Sequence, residues 1–212
     1  MSLEEYMKVI PEDFSKEAKL IDKTIKELNI NQKAKILDVG TGFGAMAILI
    51  ALNGFNVLTG QPEHDPEWEQ HHNQSCDHKH ETDHNHYFQN VKSWEENAKT
   101  LGVRGKIEFQ YIDVEKLGFS DKSFDAIFMF DSLQHVKNRK LALNQCLRVL
   151  KPDGLVCVLE WNKQSVAYWN KKEDLGIDSI DPKELLDRKD VFIQLVKGKE
   201  VNIFIIRKTD LR

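Results

Sequence analysis

Short apolar runs alternate with amphipathic segments along most of the chain. Five runs have the length of buried strands, namely 35–39, 55–59, 106–112, 123–130 and 155–160. Helical patterns separate them at 45–52, 90–101 and 138–150. Strands that alternate with helices in this way predict a largely parallel sheet that is covered by helices on both faces.

The two ends of the chain depart from this alternation. Residues 12–30 place apolar side chains at helical spacing, which predicts one amphipathic helix. The apolar runs 190–196 and 201–206 flank a tight turn at 197–200 and predict an antiparallel hairpin. The whole pattern therefore predicts an α/β fold, a three-layer α/β/α sandwich. Its seven-stranded sheet would be mostly parallel, with an antiparallel strand from the C-terminal hairpin.

A glycine-rich turn, Asp38-Val-Gly-Thr-Gly-Phe-Gly44, joins the first strand to the next helix. Glycines let the backbone turn sharply and approach a ligand closely, and the helix start directs positive dipole potential there. The spacing of Gly40, Gly42 and Ala45 also fits a dinucleotide-binding fingerprint. Asp38 disfavours a dinucleotide, because its carboxylate would repel a pyrophosphate but suits a cationic sulfonium. A turn that binds nothing is the purely structural alternative.

Three later motifs extend the pattern: 111–119 after the third strand, 123–127 entering the fourth, and 148–155 leading into the fifth. With the glycine turn, they make the chain resemble the class I, Rossmann-like methyltransferases that use S-adenosylmethionine (SAM). The terminal hairpin agrees, because the NAD-binding fold lacks it. The resemblance implies an enzyme that transfers a methyl group from SAM.

The resemblance also implies a set of cofactor-binding residues. The glycines would contact the methionine part of SAM, Asp113 would accept from the adenine amino group, and the Val114 N–H would face the ring. Asp113 could instead be a simple helix cap. The family's usual acidic residue at the end of strand two is replaced by Gln61, which can bond a ribose hydroxyl without charge assistance, and Glu63 could substitute. The predicted set is Asp38, Gly40, Thr41, Gly42, Gly44, Gln61, Glu63, Asp113, Val114 and Phe130.

The acceptor side of the site is expected after the fourth strand, at 130–135. His135 could be a general base, because imidazole titrates near neutral pH, or a structural residue of the loop. Asp131 could be a base, could orient an amine, or could cap the following helix. Methyl transfer mainly needs alignment and desolvation, so a missing catalytic dyad does not argue against it. Trp161, Tyr168 and Trp169 could wall the acceptor pocket, and Tyr6 and Phe14 could belong to a lid over the cofactor.

Residues 61–88 interrupt the pattern and are expected to be an insertion. Seven of the eight histidines lie between His64 and His86, interleaved with carboxylates and a cysteine. Imidazole, thiolate and carboxylate are ligands of Zn²⁺ and related metals, although a solvated loop without metal is the alternative. The candidate ligands are His71, His72, Cys76, His78, His80, His84 and His86. A metal could order this segment over the site, and a metal-responsive binding protein without catalysis is the alternative to the enzyme.

Composition narrows the remaining possibilities. The chain has 212 residues, a net charge of −4 and 41% hydrophobic residues, which gives no general attraction to nucleic acid or an anionic membrane. No apolar run reaches the roughly 18 residues of a membrane span, the start does not resemble a signal peptide, and three cysteines without CxxC spacing predict reduced thiols. We therefore expect one cytoplasmic domain, 1–212, with a helical lid at 1–32. The compact size favours a small-molecule acceptor, and the oligomeric state stays open.

Overall fold

The computed structural model describes residues 2–63, 92–173 and 176–209. Within these ranges seven strands form one sheet in the order β3-β2-β1-β4-β5-β7-β6. Strands β1 to β5 pair in parallel, whereas β7 is antiparallel to both β5 and β6. The strands are β1 Ile36–Val39, β2 Val57–Gln61, β3 Ile107–Tyr111, β4 Phe124–Phe130, β5 Leu150–Trp161, β6 Val191–Lys197 and β7 Val201–Lys208. The predicted seven-stranded, mostly parallel sheet with an antiparallel C-terminal strand is confirmed.

Helices cover both faces of the sheet, as the pattern predicted. They are α1 Leu3–Val9, α2 Glu12–Ser15, α3 Ala18–Glu27, α4 Ala45–Leu52, α5 Trp94–Thr100, α6 Arg139–Val149, α7 Lys163–Glu173 and α8 Pro182–Leu185. Ile21 of α3, Ile48 of α4 and Ala98 of α5 are buried in the core on one face. Leu143 and Leu147 of α6 are buried in the core on the other face. The apolar layers on both faces explain why the central strands carry almost no polar residue.

The site is expected where the strand order reverses. Strand β1 lies between β2 and β4: the chain runs outward from β1 to β2 and β3, and then crosses back to β4 on the other side of β1. In open parallel sheets such a reversal opens a crevice beyond the carboxyl ends of the strands. The glycine turn follows β1 at this point. We refer to the carboxyl ends of β1, β2, β4 and β5 as the carboxyl edge.

The prediction of one helix over 12–30 was wrong. The region is divided into the short helix α2 and the longer α3, and a further helix, α1, precedes them. Ile10 is extended and Pro11 stands before α2, because a residue that precedes proline avoids the helical conformation. Glu17, with φ −97° and ψ 9°, separates α2 from α3. The apolar spacing continues through Glu17, so the spacing alone did not reveal where α2 ends and α3 begins.

The predicted turn into the fifth strand is instead an irregularity within β5. The pairing with β4 shifts from Phe124↔Leu150 to Ala126↔Leu155, so residues 151–154 bulge out of the ladder. A Cβ at Gly154 would lie 2.7 Å from the carbonyl oxygen of Asp125, which explains the glycine.

Candidate active site

Asp38 is fully buried at the carboxyl end of β1. Its Oδ2 accepts a hydrogen bond of 2.8 Å from the Thr59 hydroxyl, whose oxygen lies 2.9 Å from that of Thr41. Since Thr59 gives its proton to Asp38, Thr41 must donate to Thr59. Asp38 Oδ1 has no hydrogen-bond partner among the described residues. Burial raises the pKa of Asp38 to about 7, and the Thr59 hydrogen bond partly opposes that rise.

The three glycines of the turn all lie in the left-handed region. Gly40, Gly42 and Gly44 have φ values of 90°, 46° and 82°. A Cβ at Gly40 would come within 2.2 Å of Ser132 Oγ, whereas one at Gly42 would meet nothing within 4 Å. Position 40 therefore needs a glycine for two reasons: Ser132 occupies the space that a Cβ would take, and the backbone has a positive φ. The Gly44 N–H donates to the Thr41 carbonyl at 2.7 Å, and α4 begins at the next residue.

Gln61 ties the end of β2 to the glycine turn. Its Oε1 accepts a hydrogen bond of 3.1 Å from the Gly42 N–H. With Oε1 engaged, its NH₂ group is the part suited to a further hydroxyl, which would then act as the acceptor. Glu63 is exposed two residues beyond.

Asp113 lies beside the end of β2, because the Ile112 N–H donates to the Gln61 carbonyl at 2.9 Å. Asp113 caps the 3₁₀ turn Val114–Lys116, and its Oδ1 accepts from the Glu115 N–H at 2.8 Å. The capping role that the sequence left open is thus present. A carboxylate has two oxygens, so the cap does not prevent a second role in adenine binding. Val114 is buried.

A sharp loop follows Phe130, which is buried at the end of β4. Asp131 has φ 50°, unusual for a residue with a side chain, and its N–H donates to the Leu159 carbonyl at 2.9 Å. Ser132 Oγ donates to the Val39 carbonyl at 2.7 Å and so joins this loop to β1. His135 ends the 3₁₀ turn Leu133–His135 and is exposed.

The Asp131 carboxyl group has a shifted pKa. Burial raises the pKa of Asp131 to about 6, while a hydrogen bond from Trp161 and the charge of His135 act in the opposite direction. This group is therefore mainly ionised at neutral pH and still close to its titration range. Such a carboxylate can accept a proton from an O–H or N–H group.

Sequence reasoning did not identify Glu160, the residue before the end of β5. It is fully buried, its Oε1 accepts from the Leu133 N–H at 3.1 Å, and its Oε2 has no partner among the described residues. Burial, and secondly the charge of Asp131, raise the pKa of Glu160 well above its usual value. A signal was present: a glutamate directly follows five apolar residues at the carboxyl end of a buried strand.

Aromatic rings from distant parts of the chain meet at the carboxyl edge. The Phe14 centroid lies 5.5 Å from Phe130, 5.9 Å from Phe43 and 6.4 Å from Trp161, each in an edge-on arrangement. Tyr6 is buried, and its hydroxyl donates to the Ala45 carbonyl at 2.9 Å, which ties α1 to the start of α4. We call Phe14, Phe43, Phe130 and Trp161 the aromatic cluster.

The other two predicted wall residues, Tyr168 and Trp169, contact each other edge-on at 5.2 Å. Tyr168 is exposed. Lys172 Nζ lies 4.7 Å from the Trp169 ring centroid. Among the described residues, neither ring packs against a ring of the aromatic cluster. The role of Tyr168 and Trp169 as pocket walls stays a prediction.

The predicted metal ligands, His71, His72, Cys76, His78, His80, His84 and His86, lie outside the described residues. In the described ranges, no group of three or more histidine, cysteine or acidic side chains is placed to hold a metal ion. Cys146 and Cys157 are buried free thiols. No helix in the part of the chain that the structure describes is long and apolar enough to cross a bilayer.

The strand order, the glycine turn after β1 and the antiparallel β7 define the Rossmann-like fold of the class I SAM-dependent methyltransferases. The model of the methyltransferase domain family matches residues 37–158, more than half of the chain. The chain belongs to this family. The matched range runs from β1 to β5 and includes the predicted cofactor-binding residues together with Asp131 and His135. The predicted lid and wall residues lie outside it, namely Tyr6, Phe14, Trp161, Tyr168 and Trp169.

Curated relatives resemble a limited part of the chain. A ubiquinone/menaquinone biosynthesis C-methyltransferase, UbiE, of Pseudomonas fluorescens is 42% identical over 74 residues, which are 35% of this chain and 29% of that protein. The UbiE protein of Idiomarina loihiensis is 34% identical over 93 residues, 44% of this chain and 37% of that protein. The matches thus span roughly a third of the length of these relatives.

Solved structures share the fold over nearly the whole chain. A protein of Methanococcus maripaludis, described as a SAM-dependent methyltransferase, superposes with a TM-score of 0.65 at 19% identity, covering 94% of this chain and 89% of that one. The PH0226 protein of Pyrococcus horikoshii gives 0.60 at 21% identity and covers 97% and 99%. The [4+2]-cyclase SpnF gives 0.63 at 17% identity and covers 91% and 81%. At these identities the likeness concerns the fold alone.

The residues at the carboxyl edge are compatible with SAM, the cofactor of the family. Asp38 offers a buried oxygen without a partner among the described residues, and a cationic ligand nearby would favour its charged form. The left-handed glycines allow close approach of a ligand to the backbone. The chemistry of the donors and acceptors therefore fits a zwitterionic amino acid joined to a nucleoside.

Proposed function

We propose that this chain is a SAM-dependent methyltransferase that acts on a small-molecule acceptor. The observation that carries the proposal is the buried Asp38, with one unpartnered oxygen among the described residues, beside three left-handed glycines. Family membership and the fold support the same activity. When bound, SAM supplies a methyl group activated by attachment to a sulfonium.

The chain's own residues have distinct roles toward the cofactor. Asp38 favours positive charge, and Gly40, Thr41, Gly42 and Gly44 form the backbone cradle. Gln61, with Glu63 two residues further along the chain, would bind the ribose hydroxyls. Asp113 and the Val114 N–H would bind the adenine, and Phe130 would pack beside the reacting end of the cofactor.

Asp131 is the proposed proton acceptor on the acceptor side. Its pKa of about 6 leaves it mainly ionised at neutral pH. The hydrogen bond from Trp161, a member of the aromatic cluster, links it to that cluster. An acceptor oxygen or nitrogen that loses a proton during methylation could pass it to this carboxylate. His135 lowers the pKa of Asp131, which gives it a supporting electrostatic role.

A small acceptor is favoured by what surrounds the site. The aromatic cluster combines Phe14 from α2 with rings from the glycine turn, β4 and β5, so the N-terminal segment covers the carboxyl edge. Such a cover suits a compact, partly apolar acceptor better than an extended polymer. The name of the UbiE relatives, a quinone-biosynthesis C-methyltransferase, supports an acceptor of this size.

Calorimetric titration with S-adenosylhomocysteine, the demethylated product, tests the cofactor assignment. We expect micromolar binding to the metal-free protein and a loss of at least about tenfold in Asp113→Ala, because a hydrogen bond to a charged group is removed. Asp153→Ala, an exposed aspartate of the bulge in β5, is the matched control and should bind normally. No binding by the wild type, with or without added zinc, would contradict the proposal.

The acceptor class needs a separate experiment. Purified enzyme and SAM are incubated with low-molecular-mass quinols, phenols and amines, and in parallel with unmodified protein and RNA, and formation of S-adenosylhomocysteine is measured. Turnover in the small-molecule set alone is expected. Turnover only with protein or RNA would overturn the small-acceptor assignment while leaving the cofactor assignment intact.

A further inference from the structure

Glu160 is a buried acidic group that the proposed chemistry does not use. It is fully buried on the central strand β5, where an unneeded carboxyl group would be costly to keep. Register places it next to the end of β4 on one side and opposite Asn202 of β7 on the other. Its position, one residue beyond the Phe130↔Leu159 pair, puts it level with the start of the loop that follows β4.

The carboxyl group of Glu160 holds the backbone of that loop. Its Oε1 accepts from the Leu133 N–H at 3.1 Å, and the neighbouring Ser132 backbone favours the charged form of this carboxyl group. One side chain therefore fixes the start of the 3₁₀ turn Leu133–His135. Arg139 Nε donates to the Leu133 carbonyl at 2.9 Å, which holds the same residue from the α6 side.

The loop needs such support because its conformation is strained and its position is constrained. Asp131 is in the left-handed region, which a residue with a Cβ rarely adopts unless its surroundings require it. Ser132 Oγ occupies the space above Gly40 and donates to the Val39 carbonyl. A shift of the loop would therefore disturb the glycine turn as well as the Asp131 carboxylate.

We propose that Glu160 is the positioning residue of the acceptor loop, residues 131–135, and fixes Asp131 in relation to the glycine turn. The inference rests on the proposed function, because this loop is the acceptor side only if the chain is a methyltransferase. Glu160 is not a catalytic residue, since its contacts are with the backbone. It acts through Asp131 and Ser132.

The charged groups around Glu160 fit this role. Asp131 at the end of β4 disfavours a second negative charge, and Arg139 on α6 favours one. His135 lies on the loop itself and favours the ionised form of Asp131. Two neighbouring carboxyl groups in a buried place ionise one before the other, so Asp131 carries the charge and Glu160 keeps its proton for longer.

Backbone amide hydrogen exchange, measured by NMR for each residue, tests the inference directly. In Glu160→Ala the Leu133 amide loses its acceptor, and we expect its exchange to accelerate by at least about tenfold. Glu160→Gln keeps an oxygen at the same place and should restore slow exchange. The matched control is Asp125→Ala, which removes a carboxylate that accepts the Lys35 N–H at 2.8 Å at the opposite end of β4.

A local acceleration in Glu160→Ala that Glu160→Gln reverses supports the inference. Unchanged exchange at Leu133, or an equal acceleration at Leu133 in Asp125→Ala, overturns it. If Glu160→Ala does not fold, Glu160→Asp serves instead, because the shorter side chain withdraws the carboxyl group from the loop. Faster exchange at Leu133 is expected there too, and an unchanged rate overturns the inference.

The exchange experiment is independent of the proposed function. It is done on the protein without added ligand, whereas the function is judged by wild-type binding of S-adenosylhomocysteine. Slow, Glu160-dependent exchange in a protein that does not bind this product would defeat the function and leave the role of Glu160 in the loop. If the protein binds this product but the exchange at Leu133 does not depend on Glu160, the role of Glu160 is defeated and the proposed function remains.

Discussion

The carboxyl edge contains two fully buried acidic residues, Asp38 on β1 and Glu160 on β5, which differ in what they contact. Asp38 receives its hydrogen bond from a hydroxyl chain, Thr59 and Thr41, and faces the glycine turn. Glu160 accepts the Leu133 N–H of the loop after β4. Each has one oxygen without a partner among the described residues. Burial alone therefore does not define a role: we propose that Asp38 serves a ligand, whereas the hydrogen bond to Glu160 comes from the chain itself.

The glycine turn beside Asp38 and the loop held by Glu160 meet where Ser132 lies over Gly40. A substitution at Gly40 should therefore affect both regions, whereas a substitution at Asp38 or at Glu160 should affect only its own region.

Gly40→Ala should disrupt both regions at once. Its Cβ would lie 2.2 Å from Ser132 Oγ at a backbone φ of 90°, so the loop, the turn or both must move. We expect a loss of about 3 kcal/mol or more in the free energy of unfolding, and no binding of S-adenosylhomocysteine. Chemical denaturation and calorimetry measure these two quantities.

Gly42→Ala is the matched control for this substitution. It shares the left-handed backbone, with φ 46°, but its Cβ would meet no atom within 4 Å. Only the backbone penalty applies, about 1–2 kcal/mol. Equal losses in the two variants would show that Ser132 does not constrain Gly40.

Asp38→Asn should change how stability depends on pH. The pKa of Asp38 is raised from 3.8 to about 7, so between these values the unfolded chain has lost a proton that the folded chain keeps. The contribution of Asp38 to the free energy of unfolding is therefore fully present below pH 4 and is lost as the pH rises to 7. The variant lacks this loss and should exceed the wild type by on the order of a few kcal/mol at pH 8.

Urea unfolding of the ligand-free protein at pH 5 and pH 8 measures this difference. Asp121→Asn, an exposed aspartate, is the control and should follow the wild type at both values. A wild type and an Asp38→Asn variant with parallel pH dependence would contradict the raised pKa.

Gln61→Glu should strengthen cofactor binding without touching the β4–β5 region. A carboxylate could still accept the Gly42 N–H and would also accept ribose hydroxyls with charge assistance. We expect the affinity for S-adenosylhomocysteine to rise by about tenfold. Calorimetry measures the change, and Glu108→Gln, a change at an exposed residue of β3 outside the proposed site, should alter affinity by less than about twofold. Unchanged affinity in Gln61→Glu would mean that the ribose is held elsewhere.

Glu160→Gln should leave the titration midpoint of Asp131 almost unchanged. Asp131 loses its proton first, so Glu160 is still neutral while Asp131 titrates, and the charge of Asp131 is what raises the pKa of Glu160. The Asp131 carboxyl ¹³C shift, followed from pH 4 to pH 8, reports the midpoint. A clearly lower midpoint in the variant would show that Glu160 is the group that ionises first.

The sequence was sufficient for the fold because each part of the pattern is local. The lengths of the apolar runs, the glycine turn and the terminal hairpin all reflect backbone preferences and burial within a few residues. The same locality explains the error at 12–30: the apolar spacing continued through Glu17, although the helical backbone did not. The assignment of Gly40 and Asp38 as candidates also came from one contiguous motif.

Other parts of the site depended on contacts between distant residues. Asp113 was left between a cap and an adenine ligand, and only the Glu115 contact showed that the cap exists. The partner of Gln61 proved to be Gly42, and the aromatic cluster joins Phe14 to β4 and β5. None of these pairs is adjacent in the chain.

By itself, then, the sequence determined the order of strands and helices, the parallel sheet with its antiparallel end, and the turn where a cofactor would bind. These follow from hydrophobic periodicity and from the backbone freedom of glycine. Only the tertiary structure decided that Ser132 fills the space over Gly40 and that Glu160 holds the loop bearing Asp131. A buried carboxyl group takes its role from whichever donors the packed strands bring to it, and these come from other parts of the chain.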